Sequence, residues 1–194
     1  MSKTYPDEKE CISMLKAAGC SRRVIIHCRT VCAVADAIAS SIPEADPHLV
    51  SAGALLHDIG RSADHSMTHA IVGAGIAEKM GVPPEVCEII KRHTGAGLDE
   101  DDIREFMLPP GDYMPRTIEQ KIVCQADNMV SDSRVISHRR SEDRLRGRGF
   151  AAGADRIAAL HSELSEKAGY DLDLVINKVG EFPVGETRRG RGKF

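Results

Sequence analysis

Aromatic residues are scarce in this sequence: tryptophan is absent, and three tyrosines and four phenylalanines are spread over 194 residues. A core of large rings is therefore excluded, and the interior has to be assembled from Ala, Val, Ile, Leu and Met. Long apolar runs are missing too. Nothing approaches the roughly 20 residues needed to span a bilayer, and the stretch from Met1 to Glu10 is polar and acidic rather than signal-like. A cytoplasmic protein without membrane contact is expected. Six cysteines are present but no C-x-x-C pair, and most sit inside apolar helical patterns, so they read as small buried hydrophobes rather than a disulfide framework. Cys28 and Cys32, four apart on one helix, are the pair that a metal role would use. Strong charge of one sign is lacking as well. The net charge of -3 excludes a whole-molecule attraction to nucleic acid or an anionic membrane and leaves only local clusters to act at short range.

What is present is an apolar period close to 3.6, sustained almost throughout, and it predicts an all-α bundle. The length suits a single domain, and 42% hydrophobic with 28% charged residues is the balance of an ordinary folded one. The expected division is an N-terminal helix over 1–20 packed on a domain of 21–180, followed by a basic flexible tail over 181–194. Within it, helices are predicted from Asp7 to Ala18, from the Ser21 cap to about Pro43, and from Pro47 to Ile59. Others are expected over Thr68 to Met80, Pro83 to His93, Thr117 to Val130 or beyond, and Asp155 to Lys167. A solvated short helix is expected within Leu98 to Leu108. The Pro47 helix is apolar on nearly every side, which belongs at the centre of a bundle.

Chemistry concentrates in Leu55-Leu56-His57-Asp58-Ile59-Gly60-Arg61. A carboxylate buried unpaired at the end of an apolar helix costs several kcal/mol and demands a cation. By helical spacing His27 shares the buried stripe of Val31, Val34 and Ile38; His69 that of Val72, Gly73 and Ile76; His93 that of Val86, Ile89 and Ile90; and Asp127 that of Val123 and Val130. Any one alone reads as a hydrogen-bonded core residue. Together they would leave six polar groups to be satisfied separately, whereas a metal cluster satisfies them at once.

In order and content these residues resemble the HD superfamily. His27, the doublet His57-Asp58 followed by Ile-Gly-Arg, and Asp127 in Gln-Ala-Asp are similar to its H...HD...D signature in the form called HDIG, over roughly Arg22 to Val130. His69 and His93 resemble the extra histidines of dinuclear members. The His-Thr-Gly phrase at His93 is similar to hydrolases of this type that split diadenosine tetraphosphate symmetrically. The whole chain, with Leu-Pro-Pro-Gly-Asp-Tyr before Met114, is similar to small archaeal HD-domain proteins whose relatives occur fused to a tRNA ribose methyltransferase.

The resemblance implies an HD-domain helical bundle. In it, His27, His57, Asp58 and Asp127 hold one divalent transition metal (Fe, Mn, Co, Ni or Zn), and Asp58 bridges to a second completed by His69 and His93. The implied activity is phosphohydrolysis of a phosphoester or phosphoanhydride, in a nucleotide or dinucleoside polyphosphate, by water whose pKa the metal lowers towards ~7. Asp58 and Arg61 are the expected catalytic residues, with Arg61, His65 and Arg134 as candidate phosphate contacts. Arg134 is placed two turns beyond Asp127 on one helix face. His48, His138 and His161 receive no role. The rival reading is a non-catalytic regulatory module binding RNA or a nucleotide. For RNA there are arginines from Arg134 to Arg148 and Arg188, Arg189, Arg191 and Lys193 in the tail. Against it stands the lack of interleaved aromatic residues to stack on bases, so a small phosphorylated partner is favoured over RNA.

Overall fold

Helices begin where a short polar side chain can take up free backbone amides. Asp7 and Glu10 exchange such bonds to open α1 (Glu8–Ala17), Ser21 caps α2 (Arg22–Ala39), and Asp46 with Pro47 behind it opens α3 (Pro47–Leu56). The chain continues through α4 (His69–Lys79), α5 (Pro84–Arg92) and α6 (Glu100–Glu105) to α7 (Ile118–Asn128), which the Thr117 and Gln120 capping box starts. A hairpin of β1 (Val130–Ser131) and β2 (Arg134–Val135) leads to α8 (His138–Gly147), α9 (Ala151–Ala168) and α10 (Val175–Val179). This computed structural model describes residues 4–179; the basic tail expected over 181–194 lies outside the described residues. The expected all-α fold is what is seen, with Val130 facing Val135 and Ser131 facing Arg134 in the small antiparallel hairpin.

The apolar helix is central. In α3 every residue from Leu49 to Leu56 except Ser51 is buried, and α1, α2, α5 and α7 pack around it. A Cβ at Gly53 would stand 2.6 Å from Ile89 Cδ1, so glycine there lets α5 close on α3. Cys11 and Leu15 seat α1 in the same core. A smaller apolar cluster of Leu98, Leu108 and Tyr113, with Met67 and Phe106 against it, holds the α6 region. Among the described residues no helix is long and apolar enough to cross a membrane.

Of the boundaries that differ from expectation, two shape the site. The Pro47 helix stops at Leu56 instead of Ile59, with a 3-10 turn over Ile59–Ser62. Neighbours on a continuing helix point about 100° apart; breaking it after His57 lets His57 and Asp58 face one centre. The 3-10 turn then crosses α4 so closely that a Cβ on Gly60 would lie 2.0 Å from the His69 carbonyl oxygen, which brings His69 beside Asp58. Likewise α7 ends at Asn128 rather than at Val130 or beyond, because the hairpin begins there. Arg134 therefore sits on β2 and not on the Asp127 helix face, and the two-turn placement is corrected. The last long helix starts at Ala151 instead of Asp155.

Candidate metal centre

Four histidines reach one buried floor from four segments, and each is oriented in the same way. Nδ1 of His27 donates to the Asp132 carbonyl at 2.8 Å, His57 to Ala54 at 2.8 Å, His69 to Ser66 at 2.7 Å and His93 to Ile90 at 2.7 Å. A carbonyl only accepts, so each ring carries a proton on Nδ1 and turns inward its Nε2, the position that would offer a lone pair to a metal. These nitrogens meet: Nε2 of His27 and His57 are 3.3 Å apart, and those of His69 and His93 are 3.1 Å apart. Two ring nitrogens facing each other at that range need a positive charge between them, a proton on one ring or a metal ion.

The carboxylates complete two sets. Asp127 Oδ1 lies 3.0 Å from His27 Nε2 and 3.5 Å from His57 Nε2, and Asp58 Oδ2 lies 3.8 Å from both rings. The other oxygen of Asp58, Oδ1, lies 3.3 Å from His69 Nε2 and 3.7 Å from His93 Nε2. Donors bound at about 2.0–2.2 Å to one ion stand about 3.0–3.6 Å from each other; the separations here run from 3.0 to 3.8 Å, so both sets come within about 0.2 Å of what a divalent metal needs. His57, Asp58, His69 and His93 are buried. Burial pushes the Asp58 and Asp127 carboxyls up, yet positive charge on the imidazoles of His57, His69 and His93 around Asp58, and of His27 and His57 around Asp127, holds both well below the usual carboxylate range, a role that a divalent ion would take over from the imidazole protons. Burial raises the thiols of Cys28 and Cys32, and among the described residues neither joins a cluster of possible metal ligands.

The floor opens into a cleft of about 810 Å³. Arg61 stands at its edge, with Nε 3.2 Å from Asp58 Oδ1 and Nη1 donating to the His65 carbonyl at 2.9 Å. The exposed His65 ring lines the cleft, and Arg134 does not. Sequence reasoning missed the opposite wall. Arg144 on α8, Arg148 just past its end, and Arg23, paired with Asp132, line it. The basic run was visible in the sequence; which of its arginines face the cleft depends on the hairpin that turns α8 back over the floor. Phe106 and Phe150 also line the cleft. The arginine run thus meets in space not only Phe150, two residues beyond Arg148, but also Phe106, which is distant along the chain.

A second gathering of histidine and carboxylate forms where none was expected. His138 and His161 stack with centroids 3.4 Å apart and planes 14° apart. Nδ1 of His138 meets Asp173 at 3.0 Å and its Nε2 meets Glu142 at 3.2 Å, while His161 takes a bond from Gln125 at 3.1 Å and meets Asp171 at 3.0 Å.

A family model described as the HD domain matches residues 24–132, more than half of the chain. The chain is 43% identical over 171 residues to a protein of Picrophilus torridus named tRNA (cytidine(56)-2'-O)-methyltransferase, and 41% identical over 171 residues to the protein of that name from Thermoplasma volcanium. Each match takes in 88% of this chain and 50% of the relative, so the chain spans about half the length of these curated relatives. An uncharacterized protein of Methanocaldococcus jannaschii is 42% identical over 132 residues, 66% of this chain and 78% of its own. No solved structure matches the chain. The HD-domain resemblance and the likeness to small archaeal proteins hold, and these relatives lend nothing to the likeness with diadenosine tetraphosphate hydrolases. The expectation of a phosphohydrolase is overturned by the two relatives that bear the name of an RNA methyltransferase. The physical reason is that a donor set narrows the class of cation held and does not set which bond changes beside it.

Proposed function

The chain belongs to the HD-domain family, and from that premise we propose that it is a metal-bearing domain that grips RNA by its phosphate backbone in the service of tRNA modification. One observation carries this reading: the two oxygens of Asp58 face separate imidazole pairs, each with its Nε2 atoms turned inward. In it His27, His57, Asp58 and Asp127 hold one divalent ion, and Asp58, His69 and His93 hold a second. Mixed imidazole and carboxylate donors suit Fe, Mn, Co, Ni or Zn. Bound there, such ions supply Lewis-acidic positions for phosphate oxygens.

The protein's own residues do the rest. Arg61 fixes the Asp58 carboxylate from one side and presents its remaining guanidinium donors to the cleft. Arg144 and Arg148 are exposed, and neither is spent on a carboxylate among the described residues, which leaves both for phosphate. His65 lines the same edge. RNA is favoured as partner over a free nucleotide because two relatives covering 88% of this chain carry a tRNA-modifying name.

The test is equilibrium binding of a tRNA transcript across a salt series, with Mn²⁺ and with chelator. Metal-dependent binding is expected, and replacing Arg144 and Arg148 by Ala lowers the slope of log K against log salt by about 1–2. Failure to bind tRNA at about 50 mM salt, where phosphate contacts are strongest, would overturn the proposal. So would binding indifferent to both metal and arginines.

A further inference from the structure

Beside the arginine wall the cleft carries an apolar patch that phosphate contacts leave unexplained. Phe106, at the end of α6, and Phe150, at the start of α9, pack with ring centroids 5.4 Å apart and planes tilted by 45°. Both are half-buried cleft residues, with Met67, Leu98 and Ile157 alongside. A flat ligand sandwiched between two rings needs about 7 Å, so the pair offers an outer face rather than a slot.

The platform is held in place. Arg156 on α9 bonds Asp99 Oδ2 at 2.5 Å and also Asp102 of α6, and its side chain is 19% exposed. Those bonds tie α6 to α9 and so fix Phe106 against Phe150. Arg148, two residues before Phe150, puts a cation at the platform's edge, and Asp58, His69 and His93 line the same cleft. An occupant must therefore be apolar on a flat face and anionic next to it. A volume of about 810 Å³ falls within the range of about 300–1,000 Å³ of small-ligand pockets.

We propose that the Phe106 and Phe150 pair is a stacking platform for one unpaired base of bound RNA, with the adjoining phosphate towards Arg144, Arg148 and the metal-ligand floor. This rests on the reading of the cleft as an RNA-phosphate site and adds to it a strand preference. A duplex hides the faces of its bases, whereas a loop or single strand presents them. Arg156 acts here as a positioning residue.

The experiment compares two small probes on the Mn²⁺-loaded protein by calorimetry: 2-aminopurine riboside 5'-phosphate and ribose 5-phosphate, which lacks only the base. The base is expected to tighten binding about tenfold and its fluorescence to be quenched on stacking, whereas Phe106→Leu with Phe150→Leu abolishes both effects and leaves ribose 5-phosphate affinity within about twofold. Leucine keeps the apolar contact, so the melting temperature of that variant reports whether the fold is intact. Arg156→Gln reduces the gain from the base while sparing ribose 5-phosphate. If ribose 5-phosphate binds and the base adds nothing, or if the gain survives both leucines, the platform is overturned alone. If ribose 5-phosphate itself fails to bind, the anion-binding reading of the cleft falls and the platform with it.

Discussion

Among the described residues lie two clusters of histidine and carboxylate, and the use of their nitrogens sets them apart. In the floor, each of His27, His57, His69 and His93 spends Nδ1 on a backbone carbonyl and leaves Nε2 facing other acceptors. In the stack, both nitrogens of His138 meet carboxylates, and both of His161 already have side-chain partners. Parallel rings also aim their in-plane lone pairs side by side rather than at one point. The floor asks for cations, whereas in the stack each ring nitrogen already meets a side chain, in contacts that join α7, α8, α9 and the turn before α10. Composition alone does not separate the two; the direction of each lone pair does.

The difference can be broken at the floor first. Asp58→Ala removes a donor from both sets, and metal affinity is expected to fall by more than the 10–100-fold loss typical of outer-shell partners, read as metal per chain after dialysis. His138→Gln should leave metal content unchanged. Gly60→Ala attacks the floor through the backbone: its Cβ would lie 2.0 Å from the His69 carbonyl oxygen, so a loss at or above the usual overpacking cost of about 1–3 kcal/mol is expected in denaturant unfolding. Stripping metal with chelator comes next. A ligand present at about 100 times its Kd adds about 2.7 kcal/mol, or about 5–10 °C in Tm for a chain of this size, and re-addition of Mn²⁺ should restore it.

The smallest effect belongs to the stack. Burial, then the neighbouring His138, lowers the His161 pKa. The unfolded state thus binds this proton more tightly, and the stability that a neutral His161 contributes is present above about pH 6.5 and lost as pH falls below it. His161→Gln should blunt the fall in Tm between pH 7 and pH 5 by about 2 °C. An acid limb identical to wild type would show that the stack does not titrate with folding.

The helical fold was legible because apolar spacing and caps such as Asp7, Ser21, Asp46 and Thr117 are local signals. The residues of the floor were legible for the same reason, since His27, His69, His93 and Asp127 fall on buried stripes of their own helices. The break after His57 was not, because Ile59 continues the apolar pattern through a turn that tertiary packing against Gly73 imposes. The hairpin after Asn128 was also missed: strands of two residues carry no period, and with it went the placement of Arg134. Phe106 and Phe150 meet only because Arg156 joins α6 to α9, a contact between distant segments that no local pattern announces. The reaction was least legible of all, and the phosphohydrolase expectation failed there.

A crystal soaked in Mn²⁺ and measured for anomalous scattering tests the central claim most directly. Two peaks are predicted on opposite sides of the Asp58 carboxylate, one within bonding distance of His27, His57 and Asp127 and one within bonding distance of His69 and His93. No peak at Asp58, or ions bound only at His138 and His161, would contradict the account.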